Sequence, residues 1–376
     1  MNICILTFDY PPHPVCGSGI YVGFLTKLIK SAGHSVKIVT VNRFGLIYDE
    51  DVIYCDCIDG VDATRQGKCT CTFGNMGCFH EILEKVVKKF EETNFLPDVL
   101  YVNGYMFFDI AWKLKAIYQN AKLVSAIHFL AEQDGILPGN EEWKRIYYEE
   151  TRMVILSEQI IYFGDLAYEL IKKRNICDMA KFNLVPHSTS FEMKNREFSN
   201  NRRIVYVGRL EPGKGIEYLC EVLYKMEEIF SFDIIGGGRL YSTLNEKFGT
   251  KFRFHGYRSK EYVMDQFEKA DFFILPSFSE HCPVSVLEGM ACGCIPILSN
   301  FGNIPQMIRN ESSGFIFDLS SQHEIYVQNM FEAIGQALKI DVVRANEMIQ
   351  NNYRLLNNHF SPEIMLKKTL EVFENA

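Results

Sequence analysis

Short apolar runs separated by helical patterns recur along both halves of this 376-residue chain. Ile3–Phe8 is an apolar run that ends in the turn cluster Asp9-Tyr10-Pro11-Pro12. Val22, Leu25, Leu28 and Ile29 fall on one face of a helix over 20–32, which Gly33 stops. Val36–Val41, Val99–Val102, Lys122–Ile127 and Ile160–Phe163 repeat the strand signal. Helices are expected between them at 78–93, 107–118 and 141–156. Strand–helix–strand repetition needs crossover connections and builds parallel βαβ units. Residues 45–75, acidic and rich in cysteine, read as an irregular excursion from the sheet.

Near Pro186 the pattern stops, and His187–Arg203 reads as a polar linker. Strands then return at 203–207, 232–235, 252–255, 272–275 and 295–298, with helices at 215–229, 239–248, 259–269 and 283–292. From about Glu324 the chain is helical to its end. The expectation is an α/β protein with two similar Rossmann-like halves, 1–188 and 189–360. A ligand of such a protein sits outside the carboxyl ends of the strands, between the halves.

Charge and composition remove several classes of partner. Lys and Arg total 39 against 47 Asp and Glu, a net charge of −8. Nucleic-acid binding needs a dense basic face, so no nucleic-acid partner is expected. No run approaches the roughly 18 apolar residues of a membrane span. The opening residues lack a basic segment and a cleavage site, which points to a cytoplasmic protein. Of the 12 cysteines, Cys55, Cys57, Cys69, Cys71 and Cys78 crowd together with His80 nearby. Paired C-x-C units can bind zinc, but unpaired loop thiols satisfy the same pattern, and both readings stand.

Three strand-ending segments of the second half carry the chemistry. Gly208-Arg209-Leu210-Glu211-Pro212-Gly213-Lys214-Gly215 places two cations in a Gly/Pro turn just before a helix, an arrangement suited to a diphosphate. A solvated turn with two surface cations is the plainer reading. Gly236-Gly237-Gly238 permits close backbone approach to a ligand, or is a simple connector. The third segment runs from Pro276-Ser277 through Glu280-His281-Cys282-Pro283 to Glu288. Pro283 suits the first turn of a helix, so Glu280 lies in the loop before it and Glu288 inside it. Carboxylates so placed hold sugar or ribose hydroxyls, and the amides of His281 and Cys282 offer further donors. The plainer reading is an acidic residue complementing the helix dipole beside a surface Glu.

Taken together, these motifs resemble those of the family 4 retaining nucleotide-sugar glycosyltransferases, which have the GT-B fold. The resemblance rests on Glu280 and Glu288 within Pro-Ser-x3-Glu-x2-Pro-x3-Leu-Glu-Gly-Met-Ala-x-Gly, and on Gly-Arg-Leu-x4-Lys-Gly at 208–215. Tyr10-Pro11-Pro12, Gly17, Tyr21, Gly33-His34-Ser35-Val36 and Pro97-Asp98-Val99 extend it to the first half. It implies two Rossmann-like domains facing a central cleft, with a last helix at 361–376 crossing back to the first domain. It implies that Arg209 and Lys214 hold the donor diphosphate, with Gly17 bringing an amide to the distal phosphate. Glu288 would bind the ribose, and Glu280 would face the transferred sugar with the His281 and Cys282 amides. His128, after strand 122–127, matches the family histidine near the reacting centre; by itself it would be an ordinary strand-end histidine. The catalytic set is then His128, Glu280, Arg209 and Lys214. Pro186-His187-Ser188, Cys16 and Pro305-Gln306 depart from the family pattern without removing a charge from the diphosphate site.

The expected reaction moves a hexosyl-type sugar, with retention, from a nucleotide-diphosphate sugar to a hydroxyl of a small molecule or glycan. UDP-N-acetylglucosamine and UDP-glucose are the donors the resemblance favours. Two fixed cations do the work of a divalent metal, so neither metal nor cofactor is expected. Residues 1–190 hold 19 basic and 23 acidic side chains, no basic surface for anionic lipid, while peripheral membrane association stays open. The acidic stretch after His128 is either a solvated helix face or a place where Glu132 or Asp134 favours a cationic acceptor such as an amino sugar or aminocyclitol. A nucleotide-sugar epimerase or hydrolase, and a non-catalytic partner subunit, are the alternatives on the same fold.

Overall fold

The computed structural model of the protein describes residues 1–11, 17–42, 49–56, 77–128, 130–133, 140–228, 230–278, 280 and 282–376; the side chains of 42, 56, 77–82, 133 and 142 are not described. The chain divides into two compact units, Met1–Val185 with Met365–Ala376, and Pro186–Ile364.

In the first unit a parallel sheet is built from β1 (Asn2–Thr7), β2 (Ser35–Asn42), β3 (Val52–Asp56), β4 (Val99–Asn103), β5 (Lys122–Ile127), β6 (Gln159–Tyr162) and β7 (Phe182–Leu184). Their order is β3-β2-β1-β4-β5-β6-β7. The chain runs outward from β1 to β3 and then returns to the far side of β1 at β4. That reversal is the switch point of a doubly wound sheet. Every residue of β4 is buried, and β1 and β5 are buried beyond their first residues, as strands covered on both faces must be. Register sets Thr7 opposite Asn103, and Asn103 opposite Ala126, at the carboxyl ends of the three central strands.

Unit two repeats the plan with β8 (Arg203–Val207), β9 (Ser231–Ile235), β10 (Arg253–Gly256), β11 (Phe272–Leu275), β12 (Ile295–Ser299) and β13 (Phe315–Phe317). Their order is β10-β9-β8-β11-β12-β13, all parallel, with the switch point between β8 and β11. The helical end of the chain is three helices, His323–Leu338, Val342–His359 and Pro362–Asn375. Asp341 caps the second by accepting from the Arg344 amide at 2.9 Å.

Two stretches differ from expectation. β3 lies inside the segment expected to be irregular: Val52, Ile53 and Cys55 are buried, and β3 pairs with β2 from Val52 to Asp56. Its acidic border is neutralised, because Lys30 and Lys37 both reach Asp51. The polar stretch after Pro186 is not a solvated linker either. His187, Ser188, Thr189, Phe191 and Phe198 are buried in the second unit. Buried Asp271 gathers the stretch, accepting from Arg196 at 3.0 Å, Ser199 Oγ at 2.6 Å and the Arg202 amide at 2.9 Å. A buried carboxylate needs such donors, and this stretch supplies them.

Candidate functional site

The carboxyl ends of β8 and β11, adjacent at the second switch point, bring the Arg209–Lys214 turn and the Glu280 loop together. Tyr206 donates to the Arg209 carbonyl at 2.7 Å, fixing the first residue of the turn. Pro212–Lys214 form one 3-10 turn, and Gly215 follows at φ 65°. A Cβ at Gly215 would lie 2.1 Å from the Pro276 carbonyl oxygen, so only glycine permits this approach. The Phe278 amide donates to the Gly213 carbonyl at 3.0 Å, and Tyr326 donates to the Pro276 carbonyl at 2.7 Å. Both loops are therefore set by backbone contacts before any ligand arrives.

Lys214 Nζ donates to Glu280 Oε1 at 2.6 Å, and Ser277 Oγ donates to the same oxygen at 2.7 Å. The two side chains are largely buried. Burial strengthens such a pair only when its remaining polar atoms are served, which is the part Ser277 plays. Ser277, fully buried, was not among the expected site residues; its only signal in the sequence is its place in the Pro-Ser pair that ends β11. Arg209 is exposed, and among the described residues its guanidinium has no ion pair.

The helix Val284–Ala291 starts at Pro283, and Glu288 lies within it. Glu288 is partly buried, and burial pushes its carboxyl up to about 7, with Lys260 pulling the other way. Cys282 is buried and its thiol is pushed up to about 12 by that burial, so it stays a neutral, small apolar group. His281 lies outside the described residues. The three glycines after β9 approach their own protein: a Cβ at Gly236 would stand 1.9 Å from the Gly208 carbonyl oxygen. That is the connector reading, and the connector helps shape the Arg209 turn.

On the first unit, Gly17 opens the exposed start of the helix Gly17–Ser31. Among the described residues, a Cβ there would meet nothing within 4 Å. His128 follows β5, and its Nε2 lies 2.6 Å from Asn103 Oδ1. Phe163 stacks on its ring at 4.3 Å between centroids, and Tyr21 meets it edge-on at 5.1 Å. Glu132 is committed: Arg174 grips it through Nε at 2.8 Å and through Nη2. The same Nη2 binds buried Glu150 at 2.8 Å, whose carboxyl burial pushes up to about 7. The Glu132 charge therefore closes an internal ion-pair group. Asp134 lies outside the described residues, as do Cys57, Cys69, Cys71 and the Cys78 side chain, so the metal reading of that cluster falls there too. Cys55 is buried in β3.

Two doubly wound parallel sheets, with paired cationic and acidic loops at the second switch point, are the architecture of the GT-B fold. Comparisons with known proteins agree. The family model for glycosyl transferases group 1 matches residues 188–354. A glycogen synthase of Mycobacterium tuberculosis is 23% identical over 347 residues, covering 84% of this chain and 81% of that protein. Among solved structures, a sucrose-phosphate synthase from Thermosynechococcus elongatus superposes with a TM-score of 0.81 at 18% identity, covering 100% of this chain and 98% of the other. The Anabaena protein Alr3699/HepE, solved with UDP and glucose, gives a TM-score of 0.75 at 14% identity over 100% of both chains. The group 1 glycosyltransferase model thus matches the second half of the chain, and the fold over the whole chain is that of the GT-B glycosyltransferases. No helix among the described residues is long and apolar enough to cross a membrane.

Proposed function

We propose that the protein transfers a hexosyl-type sugar, with retention, from a UDP-sugar to an acceptor hydroxyl without a divalent metal. The observation that carries this reading is the Lys214–Glu280 contact at 2.6 Å beside exposed Arg209. The cation assigned to the diphosphate and the carboxylate assigned to the sugar touch each other, as the adjoining parts of one donor require. Arg209 and Lys214 neutralise the charge that grows on the leaving diphosphate, and fixed cations do so without reorganisation. The anomeric C–O bond breaks, the acceptor oxygen bonds to the same face, and its proton passes to the departing phosphate oxygen. Glu288 holds the ribose hydroxyls. Gly17 and His128 contact the distal phosphate and the sugar, and the Cys282 amide serves the sugar. UDP as the nucleotide is supported by the UDP bound to Alr3699/HepE. Glu132 is held by Arg174, so of the two carboxylates expected to favour a cationic acceptor Asp134 is the one left for that role.

The test is a thermal-shift series with UDP, GDP, ADP and UDP-glucose, with and without EDTA, on wild type and Lys214→Ala. Ligand that binds only the folded protein raises Tm by mass action. The expected result is an EDTA-insensitive shift with UDP that Lys214→Ala abolishes. A shift that requires a divalent ion, or one that survives Lys214→Ala, would overturn the reading.

A further inference from the structure

The turn Ala131–Gln133 begins three residues after His128, beyond the carboxyl end of β5, and is gripped from two helices. Arg174, the last residue of the helix Asp165–Arg174, donates to Glu132 through Nε at 2.8 Å and through Nη2. The same Nη2 donates to Glu150 Oε2 at 2.8 Å, and Nη1 donates to Thr151 Oγ1 at 3.4 Å. Glu150 and Thr151 lie on the helix Glu141–Leu156, whose Tyr147 ring centre is 4.0 Å from the guanidinium carbon. The Ala131 amide also donates to Glu150 Oε2, at 3.2 Å, so the turn is held by its backbone as well as by its side chain.

One cation thus serves two carboxylates. The side chains of Arg174 and Glu150 are 3% and 1% exposed, and with both carboxyls ionised the group would bury an excess negative charge. Both donors to Glu150 go to Oε2, and its buried Oε1 has no hydrogen-bond partner among the described residues. A proton on Glu150 removes the excess. Burial pushes this carboxyl up to about 7; Arg174 opposes that shift and Glu132 adds to it. If the turn lifts, Glu150 meets water and its pKa falls toward 4.5, so the seated turn binds the proton more tightly. The hold is therefore full below about 4.5, weakens as pH rises to about 7 and stays weakened above.

We propose that Arg174 is a positioning residue: by holding Glu132 and a protonated Glu150 together, it seats the turn Ala131–Gln133, and with it His128, for reaction at the donor sugar. This rests on the reading of His128 as a donor-sugar contact.

The experiment combines two readouts at pH 5 and pH 8. Amide hydrogen exchange, corrected for intrinsic rates, reports the hold on the turn through the protection of the Ala131 amide. Turnover is measured as UDP release from UDP-glucose and UDP-N-acetylglucosamine, with water as acceptor. In wild type, Ala131 protection should be at least about tenfold greater at pH 5 than at pH 8. Glu150→Gln keeps an acceptor oxygen and cannot ionise, so its Ala131 protection should be equal at the two pH values. Arg174→Lys keeps the charge and loses the fork. It should lower Ala131 protection at both pH values and lower kcat about tenfold with KM for the donor little changed. Equal protection at both pH values in wild type, or a difference that survives Glu150→Gln, overturns the proton-held turn. Full turnover in Arg174→Lys alongside an inactive His128→Ala overturns the positioning role, as does a rise in donor KM in place of the kcat loss. Full turnover in His128→Ala removes the donor-contact reading, and the turn's part in transfer falls with it.

Discussion

At Glu288 stability meets the proposed ribose contact. Its carboxyl is pushed by burial from 4.5 to about 7. An acid with a higher pKa when folded binds more protons in the native state than in the unfolded one. Stability therefore falls as pH rises from about 4.5 to about 7 and stays lowered above that. Glu288→Gln should raise Tm at pH 8 and leave it nearly unchanged at pH 4.5. The same variant should weaken UDP binding about tenfold or more at pH 8, since an ionised carboxylate makes stronger hydrogen bonds to hydroxyls than an amide does. Tm of both proteins at the two pH values, with and without UDP, checks this; an equal Tm difference at both values would contradict it. Glu280 and Glu288 were legible because both lie in one strand–loop–helix segment, where spacing in sequence becomes spacing in space. Ser277 was not, because its importance comes from the Lys214–Glu280 contact, which joins residues 66 positions apart.

Among the elements, two glycines separate backbone need from ligand need. Gly215 sits at φ 65° with the Pro276 carbonyl where its Cβ would be. Gly215→Ala should lower Tm and disorder the Arg209 turn, at a cost of roughly 1–3 kcal/mol for the strained conformation. Gly17 opens a helix, and among the described residues nothing lies within 4 Å of its Cβ position. Gly17→Val should leave Tm within a degree or so and still abolish sugar transfer, if a phosphate must approach that amide. Circular dichroism melting and UDP release from UDP-glucose on the two variants check the contrast. A Gly17→Val protein that is stable and fully active would remove Gly17 from the donor site. The strand–helix alternation was legible because buried parallel strands read as apolar runs. β3 was hidden because its four-residue apolar run is hemmed by acids, and the lysines that neutralise Asp51 come from a helix and a strand earlier in the chain. The stretch after Pro186 misled for the converse reason. Its polar residues serve buried Asp271, which lies about 70 residues further on.

At the scale of the whole molecule, the chain leaves the first unit at Val185 and comes back to it at Met365. The return is secured by particular contacts. Phe373 is fully buried and packs its ring on Tyr101 at 5.3 Å between centroids. Lys122, at the start of β5, donates to the Phe373 carbonyl at 3.2 Å and the Glu374 carbonyl at 2.6 Å, a cation placed on the negative end of a helix. Buried Thr369 is turned inward on the same helix. Closing the first unit with the last helix makes its stability depend on residues distant in sequence, so Phe373→Ala should act locally in space and remotely along the chain. Removing a buried phenyl ring costs about 3–5 kcal/mol. Hydrogen exchange should therefore quicken in β1, β4 and β5 of Phe373→Ala, while the amides of β8, β11 and β12 keep their protection. The binding of UDP, assigned to loops of the second unit, should be weakened far less than by Lys214→Ala. Exchange that quickens equally in both sheets would show instead that the chain opens as one cooperative body, and that the helix Pro362–Asn375 secures the whole of it.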